Sequence, residues 1–102
     1  MGDSMKFEDL FMTQLQTKII QILLENPDRV FSTMMIAKIL QSSPSAVLQR
    51  LNVLERLGIV KVLYSGRRLK LYQLNKESKV VRILLKFYKE LRELKDESTK
   101  SA

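Results

Sequence analysis

The chain contains no cysteine and no histidine. Without cysteine there is no disulfide framework, no thiolate nucleophile and no thiolate ligand for a metal. Without histidine, the commonest general base and the commonest metal ligand are missing as well. Glycine is scarce: Gly2, Gly58 and Gly66 are the only three, so no glycine-rich loop exists to cradle a phosphate. Apolar runs fall well short of the roughly 20 residues a membrane-spanning helix needs. The opening MGDSMKFEDL carries acids where a secretory signal requires bases, so a cytoplasmic location is expected. These absences leave carboxylates, lysine or serine as the only catalytic groups, and argue against an enzyme. No metal and no cofactor is expected.

What is present suits one small folded unit. The 102 residues are 45% apolar and 28% charged, a globular composition of single-domain length. Net charge is +7, and its placement matters more than its size. Between Arg29 and Lys76 there are nine basic residues and one acid, Glu55, a local charge of +8. Such a surface is either solvated or faces phosphates, because nucleic-acid affinity comes largely from Lys and Arg displacing counterions. The concentration of charge favours the second reading.

Apolar spacing predicts a first helix over Phe7–Glu25, ended by Asn26-Pro27. Val30-Phe31 suits a short strand. Ser32 is a good cap for a two-turn helix, Thr33–Leu40, and Gln41-Ser42 reads as a turn. Ser43 caps the next helix with Pro44 in its first position. Val47, Leu51 and Leu54 form its core stripe, and Gly58 suits the left-handed residue that closes it. Ile59–Tyr64 and Leu69–Leu74 are rich in β-formers and predict a hairpin, with Gly66 expected at positive φ in the turn. A last helix is expected over residues 75–95. There Val80, Leu84, Phe87, Leu91 and Leu94 repeat at four and three, a heptad-like seam. Residues 96–102 form a polar tail. The predicted fold class is mainly α with a β-hairpin, in which two helices joined by a brief turn are followed by a wing. The core unit spans about residues 7–75.

With Val47, Leu51 and Leu54 facing inward, Ser45, Gln49, Asn52 and Arg56 fall within about 60° of the opposite direction. Gln and Asn are able to pair bidentately with adenine, and Arg with guanine. Any amphipathic helix has a polar face, so this pattern alone is weak. Pro44 and the helix N-terminus suit a phosphate, and Arg50, pointing sideways, suits the DNA backbone. Leu48, at the edge, is expected to pack on the preceding helix. Arg67 and Arg68 at the hairpin tip suit a minor groove or flanking phosphates. Lys61, Lys70 and Lys38 would extend the backbone contact.

Three stretches carry a family resemblance: IAKIL at Ile36–Leu40, SPSAVLQRLNVLERLGIV at Ser43–Val60, and GRRLKLYQLN at Gly66–Asn75. Over roughly Leu15–Leu91 the chain resembles the winged helix-turn-helix transcriptional regulators of the ArsR/MarR type found in bacteria and archaea. The YQLN ending also looks like small winged-helix modules beside archaeal nucleotidyltransferases. The resemblance implies that the outer face of the third helix enters the major groove of double-stranded DNA. Metal-sensing members use Cys and His ligands, which this chain lacks. The last helix predicts a homodimer, its interface formed by Val80, Leu84, Phe87, Leu91 and Leu94 with Phe7, Leu10 and Phe11. Such a dimer would set two recognition helices about 34 Å apart. Winged helices also serve as protein-interaction modules, which is the competing expectation.

Overall fold

The computed structural model describes the backbone of residues 5–101 and the side chains of residues 5–96. The elements are α1 (Phe7–Leu10), α2 (Gln14–Glu25), β1 (Phe31–Ser32), α3 (Thr33–Leu40), α4 (Pro44–Arg56), β2 (Val60–Ser65), β3 (Lys70–Leu74) and α5 (Lys79–Ser101). This is a winged helix: α3 and α4 joined by a brief turn, then a hairpin, with a long helix at the end.

The predicted first helix is two helices. The chain turns at Phe11-Met12-Thr13 because a second helix start is available there. Thr13 Oγ1 accepts the Gln16 N–H at 3.0 Å, a helix cap that ends one element and opens the next. The Gln16 amide then donates to the carbonyls of Asp9 and Leu10, at 2.8 and 2.9 Å. Those carbonyls would otherwise lack partners at the end of so short a helix.

Local chemistry sets the other helix ends. Ser32 Oγ accepts from Met35 N–H at 3.1 Å to start α3. Gln41 ends it in the left-handed region, at φ 54°. Gly58, at φ 79°, closes α4: its N–H donates to Glu55 O and Ile59 N–H donates to Leu54 O, the paired bonds of a Schellman ending. Because Ile59 N–H is used there, β2 begins one residue later than the β-formers suggested. The last helix starts at Lys79, not Asn75. Asn75 is occupied in pinning the wing, its Nδ2 donating to Gly58 O at 3.0 Å, and Ser78 Oγ caps α5 by accepting from Val81 N–H. The α5 backbone continues to Ser101, beyond the expected end near residue 95. Ala102, the last of the predicted tail, lies outside the described residues.

The sheet is antiparallel in the order β1-β3-β2. Phe31 pairs with Tyr72, and Val60 and Val62 pair with Leu74 and Tyr72. Leu63 is an extra residue, so Tyr64 pairs with Leu71 rather than continuing on the Tyr72 face. The core lies between this sheet and the helices. Ile19, Leu23, Phe31, Ile36, Val47, Leu51, Leu54, Ile59, Tyr72 and Val81 are fully buried, each contributing about 1.5–3 kcal/mol of apolar transfer free energy. Tyr88 joins α5 to α2, its hydroxyl donating to Glu25 Oε2 at 2.6 Å. Partial desolvation, and then the Glu25 carboxylate, hold that hydroxyl above the usual tyrosine pKa.

The Tyr72 hydroxyl is buried and has no hydrogen-bond partner among the described residues. A lone buried hydroxyl costs free energy that an apolar replacement recovers. Tyr72→Phe is therefore expected to stabilise the fold by about 1 kcal/mol, read as a raised midpoint in urea unfolding with unchanged slope.

Candidate nucleic-acid interface

The candidate surface is built on α4. Ser43 Oγ accepts from Ala46 N–H at 3.2 Å, and Pro44 sits in the first turn where its missing N–H is harmless. Val47, Leu51 and Leu54 all point into the core with no exposed area. That inward stripe turns Ser45, Gln49 and Arg56 to solvent, while Asn52 is half-buried. From Ser45 to Arg56 the face runs about 16 Å at 1.5 Å per residue, a length suited to a major groove about 12 Å wide.

The wing stands beside this face. Arg67 and Arg68 are exposed at its tip, and Lys61 is exposed on β2. A groove of about 360 Å³ separates the two elements. Pro44, Ser45 and Leu48 line it from α4, and Arg67, Arg68 and Lys70 from the wing. Lys70 is partly committed: its ammonium lies 3.9 Å from Glu55 Oε1 and 5.8 Å from the Tyr72 ring centre. Lys38 is exposed on α3. Among the described residues no cluster of acidic side chains could hold a metal ion.

Three sequence expectations change here. Gly66 does not have positive φ; among the described glycines only Gly58 does. Its small size serves a close approach instead, since an added Cβ would lie 2.7 Å from the Tyr64 hydroxyl. Leu48, expected to pack on α3, keeps 38% of its surface exposed and forms part of the groove wall beside Thr33 and Met34. Arg50 is turned from solvent toward α2, where its guanidinium donates to Gln16 Oε1 at 3.2 Å. Met34, at the start of α3 and 58% exposed, also lines the groove. Its apolar type gave no sign of that placement.

A second surface is apolar. Phe7 is 80% exposed, and Phe87, Leu91 and Leu94 on α5 remain largely open to solvent. The Phe7 and Phe11 rings meet at a tilt of 56°, 5.1 Å between centres. Val80 and Leu84 are half-buried against the core. Leu10, expected at an interface, is instead buried within its own chain, because it anchors α1. Ile83 belongs to the open face and was missed, although it stands three residues after Val80 and four before Phe87.

No protein-family model matches the chain, and no curated protein matches its sequence. Solved structures do match the fold. HlyU of Vibrio cholerae is 24% identical, with a TM-score of 0.64 over 82% of this chain and 84% of its own. A possible transcriptional regulator from Methanosarcina mazei is 18% identical, also at 0.64, over 91% and 81%. Lactococcus lactis ZitR, in a structure with DNA, is 24% identical at 0.56, over 87% and 66%. Identities this low establish the winged-helix fold and nothing finer.

The start of α4 depends on a single side-chain cap. Ser43→Ala is expected to cost about 1 kcal/mol of stability, measurable by chemical unfolding, while Ser43→Asp should retain most of it.

Proposed function

We propose that this protein is a sequence-specific regulator of transcription that binds double-stranded DNA as a homodimer, without metal, cofactor or catalytic activity, and is of the ArsR/MarR type. The observation that carries this reading is the exposed polar face of α4 flanked, across one groove, by an arginine-tipped wing. Gln49 and Asn52 would read base edges in the major groove, with Arg56 at the far end of the same face. Arg67 and Arg68 would reach the minor groove or its phosphates, and Lys38, Lys61 and Lys70 would fix position on the backbone. The +8 charge of residues 29–76 supports such an approach. So does the presence of DNA with ZitR, a protein of the same fold.

The apolar α1/α5 face supports the dimer. Large apolar side chains gathered on one side of a small domain mark an interaction surface, and a two-fold pair covers that surface with itself. Among the described residues no helix is long and apolar enough to cross a membrane, so a bilayer-spanning role for α5 has no support.

Selection of bound duplexes from a random pool at fixed salt tests the whole reading: a palindrome should be enriched, and recovery of no preferred sequence would sink it. On the selected site, Gln49→Ala is expected to lose about 1–3 kcal/mol of discrimination at particular bases. Arg67→Ala with Arg68→Ala should weaken all duplexes and reduce the salt slope by about 1.8, at 0.9 per phosphate contact. Phe87→Glu with Leu94→Glu should produce folded monomers by sedimentation; an unchanged dimer mass would remove α5 from the interface.

A further inference from the structure

Arg50 lies on the helix proposed to read DNA, yet its side chain is not spent on the outer face. It is half-buried, and its guanidinium reaches Gln16 Oε1 of α2 at 3.2 Å and, in the turn before α2, Met12 Sδ at 3.8 Å. Gln16 is fully buried. Its amide nitrogen is occupied by the carbonyls of Asp9 and Leu10, at the end of α1. The amide has one orientation that satisfies every neighbour: nitrogen toward the two carbonyls, oxygen toward the guanidinium. The reverse would set donor against donor and acceptor against acceptors. Thus one buried side chain holds the end of α1 with one atom and the recognition helix with the other. Leu10 and Phe7 of α1 border the apolar cleft against Val80, Ile83, Leu84 and Phe87 of α5.

We infer that Arg50 is a positioning residue, which sets the placement of α4 by holding buried Gln16, and that Gln16 ties this placement to α1 at the apolar face. The inference rests on the DNA-binding reading above. Moving Arg50 out to a phosphate would leave Gln16 Oε1 as a buried acceptor without its charged donor, which is costly. The Arg50 contribution to binding is therefore geometric: it holds Gln49 and Asn52 in register with base edges, and releases no counterion of its own.

The test uses the full chain with Arg50→Met, which keeps the apolar stem, Gln16→Met, which keeps the shape, and the double variant. Affinity for a selected duplex and a random duplex is measured over a range of salt, well below the unfolding temperature. Arg50→Met is expected to reduce the ratio of selected to random affinity about tenfold with the salt slope unchanged. Gln16→Met, which is buried and unable to touch DNA, should do the same, and the double variant should be no worse than either single one. Arg50→Lys, a donor of the same charge, should restore part of the ratio. A slope shallower by about 0.9 in Arg50→Met would make Arg50 a phosphate contact and overturn the inference, as would an unchanged ratio. If Gln16→Met does not fold, Arg50→Met and Arg50→Lys decide the matter.

Amide hydrogen exchange in the free protein separates this inference from the DNA reading. Arg50→Met should speed exchange about tenfold across residues 9–16, and unchanged exchange there would overturn the clamp. A wild-type chain that binds no duplex would sink the proposed function and the positioning role together, while faster exchange in Arg50→Met would still establish the tie between α1 and α4.

Discussion

The direction in which α4 faces depends on the burial of Val47, Leu51 and Leu54. These three side chains leave water completely, and an apolar stripe of that kind resists rotation because any turn of the helix would expose it. With the stripe inward, helical geometry assigns the opposite face to Ser45, Gln49 and Arg56. The same burial carries Gly58 to a point where a left-handed residue sends the chain directly into β2. The outer face of α4 and the wing therefore share one anchor.

The wing is rigid at its base and open at its tip. Asn75 bonds the Gly58 carbonyl and Gln73 Nε2 donates to Asp28 O at 2.7 Å, so both ends of the hairpin are held to the body. An ion pair between Lys76 and Asp28 adds to the same corner. Toward the tip the register shifts at Leu63, and the strands stop contributing to the core. Arg67 and Arg68 thus stand on a platform whose root is ordered, which suits contacts that locate a protein on a charged rod.

The long α5 divides its side chains between two tasks. Val81 is fully buried, and Leu85 and Tyr88 pack against the domain. Phe87, Leu91 and Leu94 leave about half or more of their surface open to solvent. A helix that needs only one stripe for its own domain but carries two leaves the second for another surface. α1 adds Phe7 to that surface, and the buried Gln16 places α1 in contact with the same framework that holds α4. The polar face of α4 and the apolar face are two sides of one packed body.

Much of this was legible in the sequence because it is local. Caps at Ser32 and Ser43, the closing glycine at position 58, the 3.6-residue period of α4 and the alternation of the strands each depend on residues a few positions apart. They determined the order of elements and the outward set on α4. The break between α1 and α2 was not legible. The Thr13 cap competes with a continuous apolar period, and the Gln16 bonds that favour the break join residues six and seven positions apart. The placements of Arg50, Leu48 and Gly66 were decided by tertiary structure alone. Arg50 meets a residue 34 positions away, Leu48 faces a groove whose other wall is the wing, and Gly66 is small because the Tyr64 ring lies over it. A periodicity tells which way a side chain points from its own helix; only the packed chain decides what it finds there.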